Sequence, residues 1–194
     1  MKVAIVKYNA GNIASVQNAL GRLGVESIIS DDADVLRQAD KVIFPGVGEA
    51  STAMQYLTER KLDEVIKSLK QPVLGICLGM QLLCSYSEEN ETECLRIFPN
   101  RVRRFTDKDL KVPHMGWNKI YDLRSALFDG VAEASYAYFV HGYYVDPSEN
   151  VTASCNYGTE FTAAICNANY YAVQFHPEKS GVAGTRILEN FLNL

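Results

Sequence analysis

Five cysteines and three histidines could supply nucleophilic and proton-transfer chemistry in this chain, and one of each stands in a distinctive local setting. Cys77 lies in Gly75-Ile76-Cys77-Leu78-Gly79, where an apolar β run gives way to a helical pattern. A G-x-C-x-G at such a junction is the cysteine counterpart of the nucleophile elbow, a tight turn that lifts the reactive atom above a sheet edge. The helix starting at Leu78 would aim free N–H groups at the sulfur, with the Leu78 N–H placed as an oxyanion donor. The plain alternative is a small apolar residue packing a strand-helix joint. Cys84, Cys94, Cys155 and Cys166 have neither an elbow nor a local base.

A thiol nucleophile needs a base, and the base needs an orienting group. His176 ends an apolar run in Val173-Gln174-Phe175-His176-Pro177-Glu178. Pro177 favours extended backbone at His176, and residues two apart in an extended segment share a side. Glu178 could then hold one imidazole nitrogen while the other faces Cys77. Pro45-Gly46-Val47-Gly48 forms a second glycine turn after a short β run, where the Val47 N–H could complete an oxyanion site. Ligands of parallel sheets bind beyond the carboxyl ends of the strands, the end where Cys77 stands.

The elements that must position these residues follow from periodicity. Lys2–Val6, Val25–Ile29, Val42–Phe44 and Pro72–Ile76 read as β runs, interleaved with helical spacing over Asn12–Leu23, Ala50–Leu69 and Leu78–Ser85. This alternation predicts an α/β fold with a mostly parallel, flavodoxin-like central sheet flanked by helices. Closely spaced β runs follow at Arg101–Phe105, Trp117–Tyr121, Tyr136–Val140, Val151–Tyr157, Phe161–Cys166 and Tyr170–Phe175, predicting an antiparallel extension of that sheet. Val182–Leu194 reads as a closing helix. With 194 residues and no repeat or linker, residues 1–194 read as a single domain.

Composition narrows the function. A net charge of −4 gives no reason to expect nucleic acid as a partner, and no apolar run approaches the roughly 20 residues that span a bilayer. Val3–Val6 is too short for a signal-peptide core, so a cytoplasmic location with free thiols is expected. The odd number of cysteines, without a CxxC pair, predicts neither a disulfide framework nor a metal site.

Taken in order, PGVG (45–48), GICLGMQ (75–81) and VQFHPEKS (173–180) resemble the class I glutamine amidotransferase family. YNAGN (8–12), PHMGWN (113–118), YFVHGYY (138–144) and Lys179-Ser180 resemble the branch that feeds a cyclase of histidine biosynthesis. The resemblance runs from Lys2 to the last helix. It implies hydrolysis of L-glutamine by a triad of Cys77, His176 and Glu178, with Val47 and Leu78 as oxyanion donors. It implies glutamine contacts from Gly48, Gln81 and the backbone of His141, Gly142 and Tyr143. It also implies no cofactor, and a heterodimer with a (β/α)8-barrel cyclase that receives the ammonia and binds a phosphorylated nucleotide acceptor. Asn12, Trp117 and Lys179 match positions facing that partner. A glutaminase serving another synthase, such as anthranilate synthase, is the alternative; PHMGW and Lys179 count against it. Two places depart from the family pattern: Gly142 replaces a serine, and residues 86–98 lack a glycine-rich turn.

Overall fold

The computed structural model of the chain describes residues 1–9 and 11–194, so Ala10 of the YNAGN segment lies outside the described residues. The chain opens with β1 (Val3–Val6), α1 (Ile13–Arg22), β2 (Ser27–Ser30), α2 (Ala33–Gln38) and β3 (Lys41–Gly46). It continues through α3 (Ala50–Glu59), α4 (Leu62–Ser68), β4 (Val73–Cys77) and α5 (Leu78–Leu83). The Asp32 side chain caps α2 by accepting from the Asp34 and Val35 N–H groups, and Glu49 caps α3 in the same way through Ser51 and Thr52. The single helix expected over 50–69 is two, because Lys61 takes a left-handed conformation (φ 56°) between α3 and α4.

The second half holds β5 (Tyr86–Ser87), β6 (Thr92–Glu93), β7 (Arg101–Arg104), β8 (His114–Lys119) and β9 (Tyr136–His141). After these come β10 (Tyr143–Val145), β11 (Val151–Tyr157), β12 (Thr159–Asn167), β13 (Tyr170–Val173) and α6 (Gly181–Asn193). The main sheet has the order β2-β1-β3-β4-β13-β12-β10-β7-β5-β6, with β11 paired to β12. The first five strands of that path are parallel, and the pairs from β13 to β12, β10 and β7 are antiparallel. This is the expected mostly parallel sheet with an antiparallel extension, with one correction. The runs near 117–121 and 136–140 leave that sheet for a separate two-stranded β8–β9 ladder, tied back to β11 by a bridge between Tyr121 and Ser154.

Alternate residues of the parallel strands bury on opposite faces. Val3 and Ile5 of β1 pack with Val16 and Leu20 of α1 and Ile187 and Phe191 of α6. Ala4 and Val6 pack with Leu36, Leu57 and Val65 from α2–α4. Both faces are therefore covered, as a parallel sheet requires. No helix among the described residues is long and apolar enough to cross a membrane.

The register sets up the site. Gly46 at the end of β3 lies opposite Cys77 at the end of β4, and Val173 of β13 lies opposite Ile76. Three neighbouring strands thus deliver the glycine turn, the cysteine and the His-Pro-Glu segment to one sheet edge.

Candidate active site

Cys77 has φ 54° and ψ −109°, a conformation that non-glycine residues rarely adopt and that persists only when its surroundings impose it. The imposition is visible at Gly79, where a Cβ would come within 1.8 Å of the Phe44 carbonyl oxygen. Only glycine lets α5 press so closely on β3, and that pressure turns the chain sharply at Cys77. The thiol is buried and donates a long 3.7 Å contact to the Val140 carbonyl. Leu78 opens α5, so its N–H has no partner inside the helix.

His176 is fully buried, and its Nδ1 lies 2.8 Å from Glu178 Oε1. The reason for their proximity differs from the extended geometry expected. His176 itself is extended, but Pro177–Lys179 form one 3-10 turn that folds Glu178 back onto the ring. Ser180 locks this turn: its hydroxyl donates to the His176 carbonyl at 2.6 Å and accepts from the Tyr138 N–H at 3.0 Å. The His176 N–H donates to the Tyr138 carbonyl at 2.9 Å, tying the segment to β9.

Nε2 of His176 and Oε2 of Glu178 are buried with no hydrogen-bond partner of standard geometry. Burial works against an imidazolium there. The Cys77 sulfur and the Glu178 carboxylate outweigh it, and together raise the His176 pKa to about 10. With Nδ1–H given to Glu178, the second nitrogen is left for proton exchange with the sulfur.

Beside the sulfur is a cavity of about 210 Å³, small for a drug-sized ligand and suited to one amino acid. One wall is Val47 and Gly48 from the glycine turn, with Leu78 and Gln81 from α5; the other is Val140, His141, Gly142 and Tyr143. Every residue expected to contact glutamine or its oxyanion is therefore brought to one cavity. Gly48 has φ 134°, and the Val47 carbonyl accepts from the Gly11 N–H at 3.3 Å. The amide of Gln81 donates from Nε2 to both the Tyr143 carbonyl and Gln174 Oε1 at 3.0 Å, leaving its own oxygen for a ligand.

Three features escaped sequence reading. Glu89 lines the same cavity, where its Oε2 accepts from the Ala50 N–H at 2.8 Å and burial raises its pKa. Nothing in the acid-rich Ser87–Glu93 stretch marks which carboxylate faces inward. Gln174 is fully buried and reaches from Gln81 to the Cys77 sulfur (3.8 Å). Asn12, expected at a partner surface, turns its side chain to Glu178 and approaches His176 Nδ1 at 3.3 Å. Trp117 and Lys179 are exposed, and the Lys179 ammonium sits 5.9 Å from the Tyr138 ring. Among the described residues, no group of three or more His, Cys, Asp or Glu could hold a metal ion.

This fold and this arrangement define a class. The profile described as "Glutamine amidotransferase class-I" matches residues 4–194, and the chain belongs to that family. Glutamine hydrolysis is the activity its relatives indicate. The chain is 58% identical over 196 residues to the imidazole glycerol phosphate synthase subunit HisH of Bacteroides fragilis, covering 100% of both. It is 47% identical, again over 100% of both, to the imidazole glycerol phosphate synthase subunit HisH of Escherichia coli. Among solved structures, PurLQS from Thermotoga maritima superposes with a TM-score of 0.74 at 18% identity, covering 99% of this chain and 97% of the other. A structure described as a glutamine amidotransferase gives 0.72 at 20% identity, covering 98% and 97%. These last two likenesses speak to the fold alone.

Proposed function

We propose that this chain is the glutaminase subunit of imidazole glycerol phosphate synthase, hydrolysing L-glutamine through Cys77, His176 and Glu178 and passing ammonia to a (β/α)8-barrel cyclase. The observation that carries the reading is the strained Cys77 at the wall of an amino-acid-sized cavity, coupled to a buried imidazole whose far nitrogen is held by Glu178. Full-length identity to HisH subunits supports the choice of synthase.

In this mechanism the Cys77 thiolate attacks the side-chain amide carbon of glutamine. The Val47 and Leu78 N–H groups receive the oxyanion, each such donor contributing roughly 3–4 kcal/mol. The His176 imidazolium gives its proton to the departing nitrogen, releasing ammonia and leaving a glutamyl thioester. The neutral imidazole then takes a proton from water, whose oxygen attacks the thioester and regenerates the thiol with glutamate. Gly48, Gln81 and the backbone of 141–143 hold the substrate, and Glu89 is placed to receive its α-ammonium group.

Docking is assigned to the exposed face of β8 and its surroundings, where Met115, Trp117 and Tyr136 are each more than half exposed. Such an aromatic-rich patch suits an interface core. Asn12 and Lys179 lie at its triad side. The reading treats residues 1–194 as one working unit and places it in the cytoplasm, where its unpaired thiols persist.

The test is Cys77→Ala assayed with the cyclase subunit. Glutamine-dependent turnover should vanish while free ammonia at high pH still supports the cyclase reaction. Persistent glutamate release by Cys77→Ala would overturn the assignment.

A further inference from the structure

At the 140–143 wall of the cavity, two histidines meet, His141 within the wall and His114 against it, and the proposed mechanism gives neither side chain a role. His114 of β8 and His141 of β9 face each other in register, and both are buried. His114 Nδ1 is 3.0 Å from His141 Nε2, His141 Nδ1 is 2.7 Å from the Tyr143 carbonyl oxygen, and Asn118 Nδ2 is 3.4 Å from His114 Nε2.

The acceptors dictate every proton in this chain. A carbonyl only accepts, so His141 Nδ1 carries a hydrogen and donates to Tyr143. Burial keeps His141 neutral, which makes its Nε2 an acceptor and His114 Nδ1 the donor. His114 is neutral for the same reason, so its Nε2 accepts from the Asn118 amide. The orientation of that amide is itself fixed, because Asn118 Oδ1 accepts from the Lys119 N–H at 2.8 Å and Nδ2 also donates to the Asn156 carbonyl at 2.9 Å. The relay ends on the Tyr143 carbonyl, which also receives the Gln81 amide.

We infer that His114 is a positioning residue for glutamine binding: it holds His141 in one tautomer, and so fixes the Tyr143 carbonyl and the 141–143 wall of the cavity. The inference rests on the glutaminase reading of that cavity. Gly142 gives the wall backbone freedom that a side-chain-bearing residue would restrict, so the wall depends more on anchors at either side of it. His114 is also held rigidly, stacked between Phe139 and Tyr157 at centroid distances of 5.0 and 4.0 Å.

The stack suggests the variants. His114→Phe keeps an aromatic ring between Phe139 and Tyr157 but removes both nitrogens. His114→Asn places an amide N–H near the position of Nδ1, whereas His114→Gln places one near Nε2. Glutamate release is measured against glutamine concentration for the complex with the cyclase subunit. His114→Phe should raise KM about tenfold, the scale of one buried hydrogen bond, with kcat within about twofold of the parent. His114→Asn should return KM close to the parental value and His114→Gln should not. A parental KM in His114→Phe, or equal KM values in the Asn and Gln variants, would overturn the proposal; the second comparison decides it if the Phe variant does not fold. Absence of glutamate release by the parent complex would instead refute the glutaminase reading, and the positioning role with it.

Discussion

Asn12 Nδ2 lies 2.5 Å from Glu178 Oε1, the same carboxylate oxygen that stands 2.8 Å from His176 Nδ1. Because Nδ1 gives its hydrogen to Glu178, Asn12 cannot also donate to the ring, and its useful bond is the one to the carboxylate. Asn12 precedes α1 in a left-handed conformation (φ 70°), so the first βα turn reaches across to the last one and braces the acid of the proposed triad. Asn12→Ala should lower kcat by about tenfold or more, since hydrogen bonds to charged groups contribute about 1.5–3 kcal/mol. KM for glutamine should hold, because Asn12 does not line the cavity. A raised KM with parental kcat would count against this role.

Glu89 predicts the opposite kinetic pattern. Its carboxylate lines the cavity while Oε2 accepts from the Ala50 N–H. Glu89→Gln retains an acceptor for Ala50 and removes only the charge that would face an α-ammonium group. KM for glutamine should rise about tenfold or more with kcat little changed, as expected for a contact made equally in ground and transition states. Glutamine analogues lacking the α-amino group should bind both forms alike.

The close approach at Gly79 predicts a loss of stability. A Cβ there would sit 1.8 Å from the Phe44 oxygen, a backbone atom that can move only by parting α5 from β3. Gly79→Ala should therefore cost about 3 kcal/mol, the upper range for overpacking. At about 2–4 °C per kcal/mol for a chain of this size, thermal unfolding should begin roughly 6–12 °C lower. An unchanged melting temperature would show that this contact is not what holds the elbow.

What the sequence made legible were features governed by local rules. The G-x-C-x-G elbow and the Pro45–Gly48 turn announce themselves because glycine is required where backbone passes close to backbone. The parallel core was visible in the alternation of apolar runs with helical spacing. Short or long-range features were not. The six-residue α2 buries only Leu36, too little for a periodic signal. β5 and β6 have two residues each, and they take their form from β7 and from each other. The separation of β8–β9 from the main sheet depends on a pairing 27 residues apart, His114 with His141, that no local pattern encodes. The 3-10 turn at Pro177–Lys179 was masked because the Pro-biased extended conformation applies to His176 alone. Glu89 was hidden among similar acids.

The three histidines set opposing pH limits on stability. Burial lowers the pKa of His141 to about 3 despite the bond it donates to the Tyr143 carbonyl, and burial lowers that of His114 to about 4. Both lie below the ordinary value of about 6.5, so the unfolded chain binds these protons more readily than the folded one. Their contribution is complete above pH 6.5 and is lost as pH falls toward 4 and 3. His176 is the reverse case. Burial opposes its charge, but Cys77 and Glu178 raise its pKa to about 10. Its contribution is complete below about pH 6.5 and drains away as pH rises toward 10. Glu49, lowered to about 2 by its helix-capping bonds despite burial, titrates only below its ordinary range near 4.5. Denaturant unfolding between pH 5 and 9 should therefore show greatest stability between about pH 6 and 7. His176→Gln should flatten the alkaline decline and leave the acid one, whereas His114→Phe should weaken the acid decline and leave the alkaline one. A parental alkaline slope in His176→Gln would mean that this imidazole is not held protonated by the sulfur and carboxylate beside it.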